Sequence, residues 1–136
     1  MNARVVYLAG PIYEQDDACH RWRSIAGKLL RKRNIMMLAP TDADYGGTTH
    51  VRDAERIVRT AKSDIMTCDT ILAKYDVPSA GTAMAILFAW SLQKQIVVVT
   101  SSRSPWLEVH ASVIFPNLDE AIKSLNFPEL DPQGGA

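Results

Sequence analysis

The chain has 136 residues, with fifteen Lys and Arg balanced by fifteen Asp and Glu, enough for one domain that buries about two-thirds of the surface its unfolded chain exposes without a covalent or metal staple. Zero net charge lacks the electrostatic footprint of a nucleic-acid partner, and the one basic cluster, Arg31-Lys32-Arg33, falls at the end of a predicted helix, where cations complement the dipole. Cys19 and Cys68 are too far apart in sequence to suggest a disulfide framework or a zinc site, and the apolar run Val5 to Gly10 is too short for a signal-peptide core or a membrane span. The expectation is a soluble cytoplasmic protein with reduced thiols, no nucleic acid and no membrane among its partners.

Arg4 to Ala9 reads as a buried strand stopped by Gly10-Pro11. From Asp17 the residues Ala18, Trp22, Ile25, Ala26, Leu29 and Leu30 recur at helical spacing, a stripe that covers one face of a sheet, with Asn34 as the stop. Ile35 to Leu38 is a second strand, followed by a polar loop from Thr41 to Gly47 of the kind that carries function. Val51 to Cys68 forms the next helix, with Ile57, Val58, Ala61, Ile65 and Cys68 assigned to its buried face and Arg52, Arg56 and Arg59 to water. Thr70 to Tyr75 is a third strand, Asp76 to Gly81 a turn, and a helix runs from Thr82 to about Leu92. The β-branched run Gln95 to Thr100 suits a strand covered on both faces. A loop from Ser101 through Ser112 leads to a fifth strand, Val113 to Phe115. Asn117 then fits an N-cap with Glu120 at the third helical position, and Leu118, Ala121, Ile122 and Leu125 form the inner face.

Strands alternating with helices imply parallel pairing through right-handed crossovers. The expected architecture is a three-layer, flavodoxin-like (Rossmann-like) α/β fold with a five-stranded parallel sheet, over residues 1–125 as one domain, followed by a flexible tail, 126–136. That topology gathers Tyr7, Gly10, Pro11, Ile12 and Tyr13, then Asp42, Asp44 and Tyr45, then Ser79, Gly81, Thr82 and Met84, and the loop carrying Trp106 and His110, along one rim of the sheet.

Each candidate has a plain reading beside its functional one. Gly10-Pro11 admits close approach of a ligand, or is a tight turn. Ser79 caps a helix, or joins that helix's amides in holding a phosphate. His20, His50 and His110 have no metal-like spacing, so no metal is expected. Trp106 and His110 wall a base pocket, or simply pack.

Val6 to Ile12, the segment from Lys62-Ser63-Asp64-Ile65 to Cys68-Asp69, Pro78 to Thr82, and Phe115 to Ile122 together resemble the nucleoside 2-deoxyribosyltransferase family, whose relatives include hydrolases of nucleoside 5′-monophosphates. The resemblance covers residues 4 to 125 in order. It implies a homodimer or higher homo-oligomer that acts on a small nucleotide or nucleoside without a cofactor. It also implies a glutamate six residues after the Ser79 position that attacks the anomeric carbon with retention, assisted by an aspartate on the preceding helix. Here Ala85 occupies the glutamate position and Ala61 the aspartate position. Asp64 is the operative acid only if the helix register differs by one turn.

An alanine neither attacks nor transfers a proton, so this chain is expected to be inactivated at Ala85 and Ala61. Replacement of two acids, with the surrounding pattern kept, is the favoured account; a natural relative that binds nucleotides without turning them over is the other. Ser79 stands where transferases of the family tend to carry an aspartate and the monophosphate hydrolases a serine, and a hydroxyl tolerates a phosphate that a carboxylate would repel. The expected reaction is cleavage of the N-glycosidic bond of a (deoxy)nucleoside 5′-monophosphate with release of the base. Base exchange by a transferase and a non-catalytic nucleotide sensor are the alternatives.

Overall fold

The computed structural model describes residues 3–11, 17–40 and 54–125. In chain order these form β1 (Val5–Ala9), α1 (Asp17–Lys32), β2 (Met36–Leu38), α2 (Ala54–Thr67), β3 (Thr70–Lys74), α3 (Ala80–Ser91), β4 (Gln95–Val99), α4 (Pro105–His110), β5 (Val113–Phe115) and α5 (Leu118–Ser124). All strand pairs are parallel, and the sheet order is β2-β1-β3-β4-β5. This is the three-layer flavodoxin-like α/β arrangement expected from the alternation. The chain steps from β1 to β2 on one side and then crosses to β3 on the other, which leaves a crevice beyond the carboxyl ends of β1 and β3.

Strand alternation divides the core into two halves, one on each face. Val6 and Leu8 of β1 and Val97 and Val99 of β4 pack with Trp22, Ala26 and Leu30 of α1 and Ala121 and Ile122 of α5. Tyr7, Ala9, Ile96 and Val98 point the other way, to Ile65 of α2, Ile86 and Ala89 of α3, and Leu107 of α4. Both faces of β4 are therefore covered, as its run of β-branched residues requires. At the amino ends of the strands, the Asp69 carboxylate accepts the Arg4 and Val5 amides, each at 3.0 Å, and ties β3 to β1 at the end of the sheet opposite the crevice.

Helix ends follow the local chemistry. Asn34 takes a left-handed conformation, φ 59°, where α1 stops, and the Ile35 amide returns to the Leu30 carbonyl. Gln93 does the same after α3, with Lys94 returning to Ala89, a C-terminal motif open to non-glycine residues at some cost. At α5, Asn117 accepts the Glu120 amide at 2.9 Å, as an N-cap does, and its side-chain amide donates to the Glu120 carboxylate at 3.1 Å.

Four sequence expectations change. Ile25 is 47% exposed and Val58 is 49% exposed, because the elements they sit on cover less of the sheet than their apolar stripes would allow. Ile35 precedes β2 rather than joining it. The segment assigned to a loop after β4 contains α4, six residues capped by Ser104 with Pro105 in the first turn. The position of Arg23 also runs against its charge: it is 6% exposed, inside the α1 layer. The tail beyond Leu125 and residues 51–53, where the second helix was expected to start and which include Arg52, lie outside the described residues, as does the Ala18 side chain.

Candidate functional site

A cavity of about 370 Å³ opens at the crevice between β1 and β3, within the range of small-molecule sites. Its floor is Tyr7 and Ala9 of β1 with Gly10 and Pro11 beyond them, its entrance is formed by Ser79, Gly81 and Thr82, and its walls come from α2 and α3. On α2 the lining residues are Ile57, Val58, Ala61, Lys62 and Ile65, and on α3 they include Met84, Ala85 and Phe88. The stripe that sequence spacing assigned to a buried helix face thus divides: Ile65 and Cys68 reach the core, with Ile65 also bordering the groove, while Ile57, Val58 and Ala61 only line it.

The entrance lies at the N-terminus of α3. Ser79 is extended, φ −149° and ψ 119°, and its hydroxyl oxygen accepts the Thr82 amide at 3.3 Å and the Thr82 hydroxyl at 3.0 Å. With both acceptor positions used, its own proton remains to be donated. The Ser79 carbonyl takes the Ala83 amide at 3.0 Å, so the amides of Ala80 and Gly81 are the ones that helix geometry turns outward. A β-carbon at Gly81 would meet nothing within 4 Å, so this glycine faces open space.

Gly10 is held from behind. A β-carbon there would lie 2.8 Å from Cζ2 of Trp22 and 3.4 Å from Nη2 of Arg23, so the absent side chain admits the α1 residues rather than a ligand. The buried Arg23 guanidinium donates to the Gly10 carbonyl at 2.7 Å and the Pro11 carbonyl at 3.3 Å. Sequence reasoning missed this clamp, because an arginine at helical spacing is read as solvated by default.

Among the described lining residues there is no Asp or Glu, and Lys62 is the one with a charged side chain. Its ammonium lies over the Phe88 ring, 5.5 Å from the centroid. Ala61 and Ala85, the two positions at which the sequence resemblance implies acids, both line the cavity. Asp64, also on α2, is not among the lining residues; its carbonyl accepts the Cys68 amide at the helix end. Asp76, beyond β3, pairs with Lys74.

Trp106 and His110 are not brought to this cavity. They border a second one, of about 230 Å³, with Tyr75, Leu87 and Leu107, and Met84 lies on both. The rings of Trp106 and His110 stack at 5.9 Å and 5°, Trp90 meets His110 edge-on at 4.9 Å, and His110 Nδ1 lies 2.7 Å from the Trp106 carbonyl. Ile12, Tyr13, Asp42, Asp44 and Tyr45 lie outside the described residues. Among the described residues, no group of three or more His, Cys, Asp or Glu is placed to hold a metal, and no helix is long and apolar enough to cross a membrane.

Compared with known proteins, residues 6–121 match the sequence profile of the nucleoside 2-deoxyribosyltransferase family. Comparison with the sequences of curated proteins gives no match. Among solved structures, a 2-deoxyribosyltransferase from Bacillus psychrosaccharolyticus superposes with a TM-score of 0.73 at 14% identity, over 87% of this chain and 90% of that one. The CMP N-glycosidase BcmB of Clostridium botulinum does so with a TM-score of 0.61 at 16% identity, over 89% and 97%.

Proposed function

We propose, from the premise that this chain belongs to the nucleoside 2-deoxyribosyltransferase family, that its β1–β3 cavity holds a nucleoside 5′-monophosphate for cleavage at the N-glycosidic bond, with the cleavage switched off by Ala61 and Ala85. One observation carries this reading. Ala61 and Ala85 line the same cavity, and the described lining contains no carboxylate that could take their place. Retaining cleavage requires a carboxylate to accept the glycosyl group and an acid or base to move the proton, and none of the described lining side chains does either as a carboxylate.

The choice of a monophosphate rests on the entrance. The Ser79 hydroxyl, already accepting two hydrogen bonds, offers its proton to a phosphate oxygen, and the first amides of α3 add two more donors. Arg23 fixes the Gly10-Pro11 backbone that forms the facing edge. In this account Asp64 has no catalytic role, and Trp106 and His110 do not touch the ligand held in the β1–β3 cavity. The 2-deoxyribosyltransferase and the CMP N-glycosidase share the fold, so exchange of bases remains the second reading of the active form, distinguished by supplying a second free base and looking for a new nucleoside. We further propose that the functional unit is a homo-oligomer, which sedimentation velocity tests directly.

The test of the reading is calorimetric titration of this chain with nucleosides and their 5′-monophosphates, followed by chromatography of the same mixtures. Saturable monophosphate binding, weaker nucleoside binding and no released base are expected. Absence of binding by any monophosphate overturns the reading.

A further inference from the structure

Helix α3 has no charged residue from Ala80 to Ser91 and is apolar on every side. A helix of that composition is covered all round as a rule, and at 12 residues it is too short to span a bilayer. Yet in the single chain only Thr82, Ile86 and Ala89 are buried, while Ala85 and Phe88 turn to the β1–β3 cavity. Met84 is 69% exposed, and Leu87 and Trp90 are half exposed. Beside them α4 presents Trp106, 75% exposed, and Val109, 69% exposed. His110 joins the two helices, its ring stacked with Trp106 and meeting Trp90 edge-on. Two grooves flank this seam, the 230 Å³ cavity bordered by Met84, Leu87 and Trp106 and one of about 480 Å³ bordered by Trp90, Val109 and Ser112, and His110 lies on both. The exposed apolar side chains of α3 and α4 therefore form one continuous face.

We propose that the α3–α4 face is the twofold interface through which two copies of this chain pair. The inference rests on the homo-oligomer reading given above and assigns it a surface. Met84, Leu87, Trp90, Trp106 and Val109 expose on the order of 500 Å² of apolar surface, a patch of the size that marks an interaction site. With a polar rim it approaches the roughly 800 Å² that each partner gives to a stable interface. Tryptophan and methionine at the centre, with charge kept out of it, is the composition of an interface core. A second copy is the partner that the charge pattern fits. Twofold pairing sets a patch against itself, so a centre of either sign would repel its copy, and this centre has no charge. The charged side chains nearby are engaged within the chain: Arg103 and Glu108, which line neither groove, pair with each other, and Lys94 donates to the Met66 carbonyl. Projecting rings and the grooves beside them lie on the same patch, so each copy offers the other both a knob and a recess.

The test is sedimentation velocity over a concentration series, on the full chain, on Trp106→Ala and on the double variant Leu87→Glu with Val109→Glu. The control is Met66→Glu, which puts the same charge on an exposed methionine of α2. None of these four residues lines the β1–β3 cavity, so nucleotide binding stays a separate question. The unaltered chain and Met66→Glu sediment with the mass of paired copies. Trp106→Ala raises the dissociation constant of the pair about thirtyfold, the scale of an aromatic anchor at an interface centre. The double variant, with like charges facing each other across the twofold, loses the pairing. Circular dichroism establishes that each variant is folded, and Trp106→Ala, which adds no charge, decides the matter if the double variant is not. An oligomer that survives Trp106→Ala and the double variant unchanged, or that Met66→Glu breaks as readily, overturns the assignment of this face and leaves the homo-oligomer reading standing. An unaltered chain that sediments as a single copy throughout overturns both.

Discussion

Ala61 of α2 and Ala85 of α3 line one cavity from two different helices. In the proposed reading, these positions correspond to an assisting aspartate and an attacking glutamate. The consequence is a groove whose described lining is apolar apart from a few hydroxyls and one ammonium, set against a helix start that favours an anion.

Ser79 serves both the fold and the proposed ligand. Ser79→Ala removes the acceptor for the Thr82 amide and hydroxyl, which costs about 1 kcal/mol of stability by loss of the N-cap. It also weakens 5′-monophosphate binding more than nucleoside binding, because only the phosphorylated ligand uses the hydroxyl proton. Urea denaturation and paired titrations separate the two effects.

Gly81 separates stability from binding in the other direction. No atom lies within 4 Å of a β-carbon built there, and glycine is the poorer helix former, so Gly81→Ala raises stability by roughly 0.5–1 kcal/mol. Gly81→Leu sends a larger side chain into the entrance. It retains or raises the melting temperature and abolishes nucleotide binding.

The opposite holds at Gly10. Gly10→Ala forces a β-carbon to 2.8 Å from the Trp22 indole, which is buried in the α1 layer, and overpacking of this kind costs about 1–3 kcal/mol. The displaced backbone also loses its fit to Arg23, so a fall in stability accompanied by weaker ligand binding is the expected pair of readings.

Much of this arrangement was legible in the chain, and the exceptions have a common cause. Gln95 to Val99 announces a strand covered on both faces because burial leaves no room for alternation, and Asn117 and Ser79 announce helix starts because capping is chemistry local to a few residues. Gly10 was legible as a special position but not for its reason, since Trp22 and Arg23 reach it from another element. A helical stripe tells which face is apolar but not how much of it is covered, which is why Ile25 and Val58 share the stripe yet stay half exposed. Ser104-Pro105 is the local signal for α4, and six residues are too few to show a helical period. Lys62 acquires its setting only when α2 packs beside α3.

Cys68 gives a pH dependence with a defined sign. Burial pushes its thiol from 9.0 up to about 11, and its Sγ donates to the Ile65 carbonyl at 3.1 Å. Between pH 9 and about 11 the unfolded chain releases this proton while the native chain keeps it, so the contribution to stability is complete below pH 9 and is lost as pH rises through that window. Denaturation of the unaltered chain and of Cys68→Ala across this range gives a steeper decline for the former. Native Cys68 also resists alkylation until the protein unfolds, which mass spectrometry reads.

The central claim, that the cavity is a glycosidic-cleavage site without its acids, is tested most directly by restoring them. Ala85→Glu, Ala61→Asp and the double variant are incubated with nucleosides and nucleoside 5′-monophosphates, and released base is measured by chromatography. The account predicts no base from the unaltered chain, and release from 5′-monophosphates by the double variant at least a hundredfold above either single variant, in keeping with the scale of general acid–base catalysis. A folded double variant that binds a monophosphate and releases no base from any of these compounds contradicts it.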